Sequence, residues 1–107
     1  MTEKLVRNGP GFRLRADGAT IRVADRAEMP VLLARKLVEE AQEVLAAVQG
    51  DEPHADVVGE LADVTEAIRG LRRAMHVRKD DIRAARRAKR MREGDFDQQL
   101  VWVRDDG

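Results

Sequence analysis

Two runs of helical apolar periodicity, broken by Gly50-Asp51-Glu52-Pro53, constrain this chain more than any other feature. Leu33, Leu37, Ala41, Val44 and Val48 recur at three- and four-residue steps in the first run. Val57, Leu61, Val64, Ile68, Leu71 and Met75 do so in the second. Such steps stack side chains on one helix face. The first helix has two start signals. Asp25 with Glu28 has capping-box spacing, and Pro30 suits a first-turn position. It runs to about Val48, with Gly50 as its stop. The second helix covers roughly residues 53–76, opened by the acidic Asp51-Glu52 and a first-turn Pro53. So short a connection makes the two helices antiparallel neighbours.

A third helix spans roughly residues 79–93 and ends at Gly94. Its apolar content is weak, so it is expected to lie across the others. The tail carries Leu100-Val101-Trp102-Val103 and reads as extended. Upstream, Phe12 and Leu14, then Ile21 and Val23, alternate with Arg on either side of Asp17-Gly18. That pattern predicts a β-hairpin over residues 12–23. The expected fold is mainly α, an antiparallel helical bundle with a small N-terminal β-hairpin. All 107 residues read as one domain, with an arm (1–24), a helical core (25–93) and a tail (94–107).

Three aromatic residues, Phe12, Phe96 and Trp102, are too few for an ordinary β-sandwich. The absence of cysteine removes disulfides, thiolate zinc sites and thiol catalysis. Met1-Thr2-Glu3-Lys4 does not open a signal peptide, and no apolar run nears the roughly 18 residues of a membrane helix. A cytoplasmic location is the expectation. Net charge is zero but segregated: nine acids and one base lie between Lys36 and Glu66, eight bases and two acids between Arg78 and Arg92.

The acids carry the chemistry. Glu40 and Glu43 stand three residues apart, as do Glu60 and Asp63, so each pair shares a helix face bordering an apolar stripe. Glu39 points further away. Four carboxylates converging from adjacent helices repel one another unless a cation lies between them. Hard oxygen ligands suit Mg²⁺, so Glu40, Glu43, Glu60 and Asp63 are the candidate metal ligands. Small residues nearby, Ala67 and Ala74, leave room for a ligand. Lys36 either contacts a phosphate or pairs with Glu40 one turn on. Arg86, Lys89 and Arg92 are candidate phosphate ligands from the basic helix. His54 and His76 read as surface residues. Phe12, Phe96 and Trp102 could stack a nucleobase, though aromatics in a small domain are more often core or interface residues.

Glu39-Glu40-x-x-Glu43, a sixteen-residue spacer, then Glu60-x-x-Asp63 resembles the signature of the MazG-like all-α nucleoside triphosphate pyrophosphohydrolases, relatives of phosphoribosyl-ATP pyrophosphatase. Lys4-Leu5-Val6-Arg7 resembles the opening of one subgroup, with Asn8-Gly9-Pro10 in place of its Asp-Lys-Ile-Pro. Lys89 followed by Gly94-Asp95-Phe96 resembles that subgroup's Lys…Gly-Gly-Phe segment, with Asp95 for the second glycine. The resemblance implies Mg²⁺-dependent cleavage between the α and β phosphates, giving a nucleoside monophosphate and pyrophosphate, in a house-cleaning role. It also implies that Glu40, Glu43, Glu60 and Asp63 hold the metal. Glu39 and Glu40 become the candidate catalytic residues, Glu39 holding a further ion or orienting water. Lys36, Arg86 and Lys89 become substrate-binding residues.

Other readings stand beside it. Phosphoribosyl-ATP pyrophosphatase shares the acidic motif. A non-catalytic helical oligomerisation module would use the acids for solubility. Nucleic-acid binding through the Arg-rich helix is disfavoured by zero net charge and few aromatics. Broad apolar stripes on so short a chain predict a homodimer or homotetramer.

Overall fold

The computed structural model describes residues 3–105. Among them are α1 (Asn8–Ala16), α2 (Met29–Gln49), α3 (His54–Ala74) and α4 (Lys79–Glu93), with one 3₁₀ turn at Arg26–Glu28. The mainly α expectation holds. No described residue is in a strand. No helix among them is long and apolar enough to cross a membrane. The contacts divide the chain between His76 and Val77 into two units.

The hairpin expected over residues 12–23 is a helix and a return segment instead. Pro10 lies in the first turn of α1, where its missing N–H costs no hydrogen bond. Asp17-Gly18, read as a strand-reversing turn, stops that helix. The Gly18 N–H donates to the Arg15 carbonyl and the Ala19 N–H to the Leu14 carbonyl, with Gly18 at φ +92°. This is the Schellman arrangement, which needs a left-handed residue where glycine is cheapest. A lone hairpin has no sheet to join and is marginal, whereas a capped helix satisfies its own backbone.

The return segment is tied down by Arg22. Its guanidinium donates to Glu3 (2.8 Å) and to Glu28 (2.7 Å), joining the arm to the start of α2. Both start signals for α2 are used in sequence. The Asp25 N–H donates to the Glu28 carboxylate at 2.8 Å, framing the 3₁₀ turn. Pro30 then occupies the first turn of α2. At the other end Gly50 caps the helix with an ordinary negative φ, and Asp51 takes the left-handed conformation at φ +53°. The Asp51 and Glu52 N–H groups close the turn onto the Val48 and Ala47 carbonyls.

α2 packs along α3. Leu33 meets Gly70 and Glu40 meets Glu60 and Asp63, so the two helices run antiparallel. A Cβ on Gly70 would come within 2.8 Å of Leu33 Cδ2, so the helices approach closely there.

The seam takes only part of each expected stripe: Leu33, Leu37, Val44, Val57, Val64 and Leu71 are buried or half-buried, and Ala41, Val48, Leu61, Ile68 and Met75 are exposed. Leu33, Glu40 and Ala47 are buried on α2, and Ala67 is buried on α3. Val57, Glu60, Asp63, Val64, Gly70, Leu71 and Ala74 are half-buried. The larger side chains Val38, Leu45, Val48, Leu61, Ile68 and Met75 are each at least 40% exposed. The seam thus combines part of each apolar stripe with the small residues Ala47, Ala67, Gly70 and Ala74 and the acids, and the α2–α3 pair keeps a second apolar face outside.

In the second unit, α4 has the boundaries its sequence predicts. Asp81 accepts from the Arg78 N–H at its start. Acids in its first turn and bases in its last suit the helix dipole. Gly94 ends it at φ +80°. No α4 residue is buried. The described tail, expected to be extended, forms a turn near residues 96–99 and no strand. Arg104 lies over the Trp102 ring at 5.1 Å.

Candidate metal centre

The antiparallel register of α2 and α3 sets Glu40 across the seam from Glu60 and Asp63. One carboxylate oxygen from each lies within 4.8 Å of the others. Two oxygens on opposite sides of one Mg²⁺ are about 4 Å apart, so a small closure suffices to share an ion. Glu43, the fourth expected ligand, is exposed one turn further along α2 and stands outside this group.

Glu40 is the centre of the site. It is 7% exposed, an unusual position for a carboxylate. Its Oε1 lies 3.2 Å from Lys36 Nζ, one turn earlier. Its Oε2 is buried with no hydrogen-bond partner, and so is Glu60 Oε2. A buried acceptor left unpaired costs about 1–3 kcal/mol, more when charged. Two such oxygens in one seam are the property of the donor set that fits a cation.

Three basic side chains border the acids. Lys36 reaches Glu39 (3.4 Å) as well as Glu40. Burial works against the charged lysine, but the Glu40 hydrogen bond and the charges of Glu39 and Glu40 outweigh it and raise its pKa. Lys36 is therefore a firm cation inside the acidic seam, and the i,i+4 pair expected for it is present. Lys4 lies 3.5 Å from Glu39 Oε1. Arg7 donates to Asp63 Oδ1 at 2.7 Å, from 56 residues away in sequence. Both pairs are partly solvated, where such contacts contribute about 0–1 kcal/mol. Glu39, Glu40, Glu60 and Asp63 against Lys4, Arg7 and Lys36 leave one net negative charge.

Lys4 and Arg7 are site residues that periodicity and spacing do not reveal. The resembling segment Lys4-Leu5-Val6-Arg7 contains both, but contacts from the arm to α2 (Lys4) and α3 (Arg7) have no local signature. Arg86, Lys89 and Arg92 are exposed on α4, in the second unit. His54 and His76 are exposed.

Beside the acids, the arm shapes an open cavity of about 520 Å³ lined by residues between Glu3 and Leu32. Lys4 and Arg7 belong to its wall as well as to the acidic cluster. No family model, curated protein or solved structure matches this chain.

Proposed function

We propose that this protein is a Mg²⁺-dependent nucleoside triphosphate pyrophosphohydrolase. In this reading it splits the bond between the α and β phosphates to leave a nucleoside monophosphate and pyrophosphate. The observation that carries the reading is the trio Glu40, Glu60 and Asp63, gathered within 4.8 Å with two buried carboxylate oxygens unpaired. The resemblance of the paired acidic motif to MazG-like enzymes supports the same chemistry.

Glu40, Glu60 and Asp63 would hold the ion. Bound there, Mg²⁺ would supply positive charge for phosphate oxygens and acidity for a nearby water. Lys36 adds a fixed cation beside that charge. Glu39, held by Lys36 and Lys4, would accept a proton from a water at the rim of the cluster. No covalent bond to the protein is needed.

The active form is proposed to be a homo-oligomer. Val38, Leu45, Leu61 and Ile68 are 57, 56, 50 and 40% exposed on the hairpin. The buried hydrophobic residues among those described are Leu33, Ala47 and Ala67, a thin core for the apolar surface left outside. A second copy is the simplest cover for that face.

Pyrophosphate release from a panel of nucleoside and deoxynucleoside triphosphates with Mg²⁺ tests the reaction. Wild type should turn over at least one, and Glu40→Gln and Asp63→Asn should fall by a hundredfold or more while remaining helical. Phosphoribosyl-ATP as the single accepted substrate would narrow the function to that pyrophosphatase. Absence of any turnover, or full activity in both variants, would refute the proposal.

A further inference from the structure

We infer that the cavity under the N-terminal arm is the nucleoside pocket of this site, and that Arg7 and Lys4 bind the phosphate chain between that pocket and the acidic cluster. The inference rests on the metal reading of Glu40, Glu60 and Asp63. Its first support is position. Arg7 and Lys4 contribute to the cavity wall and at the same time touch Asp63 and Glu39. The two residues are therefore common to the cavity and the acidic cluster.

The second support is size and lining. About 520 Å³ lies within the range of small-molecule sites. The wall mixes apolar Phe12, Leu14, Ile21 and Met29 with polar Asn8 and Thr20. A nucleoside needs such a mixture: an aromatic or aliphatic surface against the base and a few hydrogen-bonding groups at its edge. Phe12 is 65% exposed and offers a ring face for stacking.

The third support is charge. Without a cation the cluster holds one net negative charge and engages Arg7 and Lys4 itself, which repels a polyphosphate. A divalent ion reverses that sign and competes with Arg7 for the Asp63 carboxylate. Arg7 and Lys4 are then free to donate to phosphate oxygens, Arg7 in the two-pronged geometry a guanidinium favours. Their present contacts are weak enough to exchange. The arm itself stays anchored through Arg22 to Glu3 and Glu28.

The test is calorimetric and needs no turnover. The probes are Mg²⁺ alone, inorganic tripolyphosphate with Mg²⁺, and the α,β-methylene analogues of the four common ribonucleoside triphosphates with Mg²⁺. Wild type should bind at least one analogue about tenfold or more tighter than tripolyphosphate. Ala19→Trp fills the cavity from an exposed wall position. It should erase that preference while leaving tripolyphosphate affinity within about twofold of wild type. Arg7→Met should weaken both anions by about tenfold or more and leave Mg²⁺ binding equal or tighter. If wild type binds Mg²⁺ but no analogue outbinds tripolyphosphate, the pocket is wrong and the metal reading survives. A preference that persists in folded Ala19→Trp also overturns the pocket. Unchanged tripolyphosphate binding in Arg7→Met overturns the phosphate role. Failure of wild type to bind Mg²⁺ at all overturns the metal reading beneath both.

Discussion

Arg7 donates to Asp63 at 2.7 Å, joining the N-terminal arm to the middle of α3. The pair is half-solvated, so its loss should cost little stability, about 0–1 kcal/mol. Asp63→Asn should therefore melt within a few degrees of wild type. Its Mg²⁺ affinity should fall by about tenfold or more, since one of three charged ligands is gone. Calorimetric titration of Mg²⁺ beside a thermal melt separates the two effects. A large loss of stability with intact Mg²⁺ binding would make Asp63 a structural anchor instead.

Glu40 supplies the sharpest stability test. Mg²⁺ at about a hundred times its dissociation constant should stabilise wild type by about 2.7 kcal/mol, roughly 10 °C in Tm. Glu40→Gln keeps the side-chain shape and removes the charge. Without Mg²⁺ it loses the Lys36 ion pair and also the like-charge crowding with Glu60 and Asp63, so it should melt within a few degrees of wild type. It should show no Mg²⁺-induced rise, which scanning calorimetry in Mg²⁺ and in chelator will read directly.

The Arg22 clamp makes a pH prediction. The Arg22 hydrogen bond, aided by the Asp25 N–H, holds the Glu28 carboxyl down at about 2, against an ordinary value of 4.5. Glu3 is also lowered by Arg22. A depressed carboxylate favours the folded state above the unfolded pKa, and that contribution fades as pH falls from about 4.5 toward 2. Carbon-detected NMR titration should find Glu28 still ionised at pH 3 in wild type. In Arg22→Met its midpoint should move up toward the usual glutamate range.

Asp51 carries the left-handed residue of the α2–α3 connection at φ +53°, while Gly50 just before it does not need its freedom. A non-glycine residue pays about 1 kcal/mol there, partly offset by the chain entropy glycine loses. Asp51→Gly should stabilise the fold by about 0.5–1 kcal/mol in urea denaturation. Asp51→Val should destabilise it by more than that.

α1 was not legible in the sequence, whereas α2, α3 and α4 were. Their breaks fall at Gly50 to Pro53 and at Gly94, where backbone chemistry is local. The seam was less so. Val48, Leu61 and Ile68 belong to the expected stripes because transfer free energy favours burying large apolar groups, yet all three are exposed. The close Leu33–Gly70 approach and the carboxylates set the packed face instead. Asp17-Gly18 serves a helix stop as well as it serves a hairpin, so the flanking alternation of Arg with apolar residues misled. The approach of Glu40 to Glu60 and Asp63 follows from antiparallel register and was foreseeable. The contribution of Lys4 and Arg7 depends on how the arm folds back, which no local pattern encodes.

A sequence tuned only for a durable hairpin would place leucine where Glu40 sits. With a carboxylate there, this molecule is locally frustrated at the heart of its main helix pair. The two unpaired oxygens of Glu40 and Glu60 therefore put an unmet electrostatic demand at the point where an ordinary helical hairpin is best satisfied.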